Sequence, residues 1–368
     1  MLKCKGGGNY NGSSRVLEFD FIRALACFAI VVTHAKSIFS QLEPHTAAWN
    51  AAIVSHSFTR MGVPLFVMIS GYFLLSKTYR TDEDVVRFYK RRWLTIGVPG
   101  VFWATLYLIL NAIKHFHNNA TLAGFFPMIA HSFLQKGQVL TATPLWYLYM
   151  LVGLYLITPL AASWFSVFSR RYLTVMSFIF LCGVCLISTT TFVLYGTHMP
   201  ATIFIRFVYY VPYFLLGKIL GDVFANGSHP KAALLGFLGF ALATAGIVIT
   251  HFYFDGRAYL YEDLSSGNCS FLVICQALSF YIFALSWKSN PAFALPRLVT
   301  FLASLSFGVY LVHLPCLAVG KKLLSFVDLA PDPSRPIVTF AAYVLTAYAL
   351  ANFITFVFKR LPYLRRVV

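Results

Sequence analysis

Arg23 and His34 lie within FDFIRALACFAIVVTHA, residues 19–35, a stretch that is otherwise mostly apolar. A guanidinium is a permanent cation whose planar fork of donors suits phosphate and carboxylate. An imidazole, with an unperturbed pKa of about 6.5, is the usual proton acceptor near neutral pH. A charge at the bilayer centre costs at least about 2.5–3.5 kcal/mol on insertion scales, so ionisable groups inside an apolar run are usually functional. In a helix, the spacing from 23 to 34 closes three turns with about 20° left over, which puts both side chains on one face, about 16 Å apart along the axis. A purely structural reading stands beside this one. In it Arg23 snorkels and pairs with Asp20, and His34 hydrogen-bonds a neighbouring helix.

Further residues invite the same double reading. MGVPLFVMISGYFLLSK, residues 61–77, carries Ser70, Gly71 and Tyr72, either a notch for close helix packing or part of a site. RTDEDVVRFYKRRWLTIGVP, residues 80–99, carries Arg87, Lys90, Arg91 and Arg92, either a topology signal or an anion clamp. PLWYLYMLVGLYLITP, residues 144–159, opens on Trp146, which also fits an interfacial anchor. In LASLSFGVYLVHLP, residues 302–315, His313 falls at a depth similar to His34, and Pro315 follows it as a local helix breaker. Arg60 and Arg206 lie near outer helix ends, placed to meet an anionic glycan or a lipid headgroup, or simply to anchor the interface. Asp255, Arg257, Glu262 and Asp263 make one outer loop polar. The pair in CGVC, residues 182–185, lies mid-span and reads as plain thiols, with no disulfide framework expected.

The elements that must position these groups follow from composition. The 368 residues are 59% hydrophobic and 11% charged, against about 25% charged in a soluble protein. The pattern predicts an all-α, polytopic membrane helix bundle of about ten helices, at roughly 19–40, 57–75, 93–114, 144–167, 172–194, 203–221, 231–254, 269–287, 297–318 and 336–358. Each is close to the about 20 residues that span a bilayer. The net charge of +17 is topological rather than a nucleic-acid footprint. With the N-terminus inside, 19 Lys and Arg fall on the inner side and 9 on the outer, and Arg23 is the remaining one of 29. That bias predicts both termini cytoplasmic. The expected organisation is a flexible cytoplasmic N-terminus (1–18), a ten-helix membrane domain (19–358) and a basic cytoplasmic tail (359–368). A cleavable signal peptide fits residues 1–40 poorly, because the apolar stretch is too long and holds Arg and His. No Walker or Rossmann glycine pattern and no H-E-x-x-H spacing occurs.

Taken together, D-x-x-R-x₁₀-H at Asp20, Arg23 and His34, the VPLFVMISGYFL run, the basic stretch before the third helix, PLWYL, YFLLGKILG and SFGVYLVH resemble the integral membrane acyltransferase family 3. The resemblance implies a bacterial O-acetyltransferase of cell-envelope glycans, in its stand-alone form, in the inner (cytoplasmic) membrane. It implies acyl-CoA, by default acetyl-CoA, as co-substrate, no permanently bound cofactor or metal, and a lipid-linked or polymeric glycan as acceptor, among membrane lipids. Arg23 and His34 match the motif the family needs for acyl transfer, and Ser70, Gly71 and Tyr72 match its SGY segment. The family's R-x-x-R departs here: Arg92 is followed by Thr95, and Arg87 with Lys90 keeps the spacing with a lysine. On this reading His34 is the base for a sugar hydroxyl. Arg23 holds donor phosphate or pantetheine, or polarises the thioester carbonyl, and the basic stretch faces the CoA phosphates. His313 is a secondary candidate. A secondary transporter of a small polar or anionic solute is the alternative, since buried charges and Gly/Pro-interrupted helices suit carriers too.

Overall fold

A backbone in hydrocarbon has no water to bond with, so apolar runs of this length close their hydrogen bonds as helices. The computed structural model describes residues 17–39, 42–117, 145–195, 205–253, 267–287 and 295–368. Every regular element among them is helical. In chain order they are α1 (Leu17–Ala35), α2 (Ala47–Thr59), α3 (Gly62–Leu75), α4 (Asp82–Arg92), α5 (Val98–His117), α6 (Trp146–Val167), α7 (Arg170–Tyr195), α8 (Val211–Phe224), α9 (Pro230–Tyr253), α10 (Phe271–Ser286), α11 (Pro296–Ser325) and α12 (Pro336–Arg360). Among the described residues, nine helical stretches are long and apolar enough to cross a membrane, and α10 is a shorter apolar helix. Each of the ten expected helices has its counterpart.

Three departures from expectation each have a local reason. The second membrane segment begins at Ala47, not near 57. Thr46 caps it, its side chain accepting from the Trp49 amide. This segment then breaks between α2 and α3 at Arg60 and Met61. Pro64 cannot donate a helical hydrogen bond, and it is tolerated here because it falls in the first turn of α3. The basic stretch before the third helix is itself helical. In α4, Thr81 and Asp84 form a reciprocal capping box. Asp82, Glu83 and Asp84 occupy its first turn and Lys90, Arg91 and Arg92 its last, an order that complements the helix dipole. A π-helical segment, Trp93–Gly97, carries it on into α5. Finally, α11 runs to Ser325 rather than 318. It tolerates Pro315 because the carbonyl that proline would leave unbonded, on Leu311, accepts from the Tyr107 hydroxyl at 2.9 Å.

Helix α1 is the centre of the bundle, in contact with α2, α3, α10, α11 and α12. Its Cys27 thiol donates to the Ser306 carbonyl of α11 at 3.4 Å. Seven residues further along both helices, His34 meets His313, so α1 and α11 run parallel in register. The α3–α8 contact is backbone to backbone. A Cβ on Gly71 would lie 1.9 Å from the Phe214 carbonyl oxygen, and one on Gly217 would lie 2.1 Å from that of Met68. The C-terminal segment turns back on the bundle, where the Trp103 indole donates to the Val367 carbonyl at 2.8 Å. At the α8 end, Lys218 and Arg170 both pair with Asp222, at 2.6 and 3.9 Å.

Candidate active site

Helix α1 is unbroken from Leu17 to Ala35, so Arg23 and His34 project from the same side of one rigid rod. Near its start, the Arg23 guanidinium donates to Asp20 at 3.3 Å and lies over the Phe73 ring of α3 at 5.9 Å. Asp20 is buried, and its second carboxylate oxygen has no hydrogen-bond partner among the described residues. The pairing expected from sequence is therefore present, yet half of the carboxylate remains unspent.

At the other end of α1, the His34 and His313 rings are 5.0 Å apart, centroid to centroid. His313 is fully buried. Its Nδ1 lies 2.6 Å from the Tyr310 carbonyl. A carbonyl only accepts, so Nδ1 carries the proton and Nε2 presents a lone pair. That Nε2 has no partner among the described residues. Two imidazoles thus face each other, one of them held as an acceptor, an arrangement suited to taking up a proton and passing it on.

Tyrosines join the two ends. The Tyr310 ring is 5.9 Å from His313 and 5.2 Å from Tyr147 of α6. Tyr147 in turn lies within the fields of Arg23 and of Tyr155. Tyr155 takes contacts from both Ser70 and Arg92. Sequence reasoning named none of these three tyrosines, although PLWYL and SFGVYLVH contain two of them.

The basic candidates divide. Arg92 is half-buried, its guanidinium 5.6 Å from the Tyr155 ring and 5.7 Å from Phe88, and its Nε is buried without a partner among the described residues. Lys90 and Arg91 are exposed on α4, and Arg87 turns outward to Asp84 at 3.9 Å. Lys77, in the turn before α4, has its pKa lowered by burial and by the charges of Arg92 and Arg91, a sign that cations gather there. In the SGY segment, Ser70 faces Tyr155, Gly71 is spent on α8, and Tyr72 stacks on Phe19 of α1 at 4.3 Å.

At the His34 end, Trp146 and Arg206, selected separately from sequence, form a cation–π pair at 5.2 Å. Tyr210 stands 6.2 Å from Trp146 and accepts from the Asn268 amide at 3.0 Å. The six described cysteines are free thiols. Asp255, Arg257, Glu262 and Asp263 lie outside the described residues.

A family model described as an acyltransferase domain matches residues 16–356. The chain is 24% identical to "Glucans biosynthesis protein C" of Salmonella heidelberg (strain SL476), over 94% of this chain and 92% of the relative. It is 22% identical to the protein of the same name from Salmonella paratyphi B, over the same shares. It is also 22% identical to "Regulator of hypoxia-inducible factor 1" of Caenorhabditis elegans, over 95% of this chain and 80% of the relative. No solved structure matches the chain.

Proposed function

Because the chain belongs to the integral membrane acyltransferase family 3, we propose that it moves an acyl group from cytoplasmic acyl-CoA to a hydroxyl of an envelope or exported glycan. It is a multi-pass membrane acyltransferase. A glycan as acceptor draws on the Salmonella relatives named for glucan biosynthesis, and acetyl as the acyl group and the bacterial inner membrane as the location draw on the family resemblance alone. The excess of Lys and Arg on one set of loops supports both termini of the chain lying in the cytoplasm.

The observation that carries the proposal is the geometry of α1. Arg23, paired with Asp20, stands near its N-terminal end, His34 and His313 meet near the other, and buried tyrosines lie between. A thioester is already activated, so the residues must deprotonate the acceptor and hold charge. His34 takes the hydroxyl proton. The freed oxygen attacks the thioester carbonyl carbon, and the carbonyl electron pair moves onto its oxygen. Collapse breaks the carbon–sulfur bond, and the thiolate leaves with the proton from His34. The products are an ester on the glycan and free CoA. His313, its Nε2 lone pair turned inward, supports His34 while that proton is held. Arg23 and the Lys77–Arg91–Arg92 cluster bind the phosphates and pantetheine of the donor.

The donor half of the proposal has its own test. Arg91→Ala with Arg92→Ala is expected to weaken acyl-CoA binding at least tenfold in detergent, since guanidinium forks bind phosphate. Unfolding temperature is expected to fall only modestly, because Arg91 is exposed and Arg92 gives up its half-buried contacts with Phe88 and Tyr155. Unchanged acyl-CoA affinity would leave the cluster as a topology signal. A secondary carrier would transfer no label from acyl-CoA at all.

A further inference from the structure

Resting on the reading of His34 as base, we infer that Arg60, held in place by the buried His56, is the cation that receives the developing oxyanion during acyl transfer. Neither the family match nor the motif reading assigns a role to His56.

The hydroxyl oxygens of Thr33 and Thr59 lie 3.0 Å apart and tie the end of α2 to α1. His34 and Arg60 are the next residues on the two sides of that tie, and the charges of Arg60 and Lys36 reach the His34 ring. Arg60 follows the last residue of α2 at the break before α3, and its side chain turns back one turn along α2 toward His56.

His56, one turn earlier, fixes its direction. The His56 Nε2 lies 3.3 Å from a terminal nitrogen of Arg60. Guanidinium nitrogens only donate, so Nε2 accepts and the proton of a neutral ring is on Nδ1. His56 is wholly buried, and that Nδ1 lacks a partner among the described residues. Gln276 of α10 is wholly buried too. Its amide nitrogen donates to the Ser57 carbonyl at 2.8 Å and to the Thr244 hydroxyl of α9 at 2.7 Å. Its amide oxygen is likewise without a partner among the described residues. One spare donor and one spare acceptor, on residues tethered around Ser57, complement each other. His251 of α9, its ring 6.1 Å from His56, closes the cluster.

An unpaired buried polar atom costs about 1–3 kcal/mol, and it is retained where it serves a purpose. Here three helices converge on one imidazole whose one direct hydrogen bond among the described residues holds an arginine beside the base. A cation set in advance, where negative charge appears on the thioester oxygen, lowers the barrier without having to move. His56 is the positioning residue, and Arg60 is the group that meets the reacting oxygen.

The test compares Arg60→Gln, His56→Leu and His56→Gln, purified in detergent, with acetyl-CoA as donor and a glycan acceptor accepted by the wild type. Arg60→Gln is expected to lower kcat about 10²-fold, with acyl-CoA affinity within twofold of wild type. His56→Leu is expected to lower kcat at least tenfold. His56→Gln is expected to recover most of that loss, because its amide oxygen accepts from Arg60 as Nε2 does. Wild-type kcat in Arg60→Gln would overturn the inference. So would a rise confined to the KM for the glycan, which would make Arg60 an acceptor anchor. Equal losses in His56→Leu and His56→Gln would reduce His56 to packing and overturn the positioning role. The acyltransferase reading stands or falls separately: an inactive His34→Ala beside an active Arg60→Gln sinks only this inference.

Discussion

His34→Ala is expected to slow acyl transfer by about 10²–10⁴ while acyl-CoA binding and protein yield stay near wild type. The residue is partly exposed at one end of α1, and its ring meets His313 rather than the packed core. Its loss therefore removes a proton acceptor without opening a large cavity. His313→Ala differs, because that ring is fully buried and bonded to the Tyr310 carbonyl. The informative readout is single-turnover transfer from labelled acetyl-CoA beside equilibrium acyl-CoA binding on the same preparation. Transfer at the wild-type rate would make His34 structural and turn attention to His313.

Arg23→Ala is expected to act on two quantities at once. Asp20 is buried, and Arg23 is its ion-pair partner at 3.3 Å. Removing the guanidinium strands a buried carboxylate, and breaking such a pair costs about 3–5 kcal/mol. Donor affinity should fall as well if Arg23 holds the phosphate or pantetheine of acyl-CoA. The double variant Asp20→Asn with Arg23→Ala separates the two effects, since a neutral amide no longer needs the cation. Its unfolding temperature is expected to return toward wild type while acyl-CoA binding stays at least tenfold weak. Recovery of both would show that Arg23 serves only to neutralise Asp20.

The helical bundle was legible because about twenty apolar residues in a row leave few alternatives. Arg23, Asp20 and His34 were legible because they interrupt such a run at a helical spacing. Their partners were less so. The register that brings His313 to His34 depends on α1 and α11 packing parallel, although similar depth was readable. Trp146 and Arg206 were each visible, but not their stacking. Helix α2 was missed because AAWNAAIVSHSFT mixes polar and apolar residues, so its start did not stand out from the preceding loop. The same mixing hid His56, whose importance rests on contacts with α9 and on Gln276, 219 positions from Ser57. Helix α4 was passed over because its charges read first as topology, although Thr81 and Asp84 mark its start. Gly71 shows the opposite case. The motif suggested a site residue, while the geometry spends it on the α8 backbone.

The most direct test of the account is mass spectrometry of envelope glycans from three otherwise identical strains of the source organism, carrying the wild-type gene, His34→Ala or no copy. The account predicts one acyl ester, by default acetyl, present with the wild-type gene and absent from the other two. The same acyl-ester content in all three strains would contradict it.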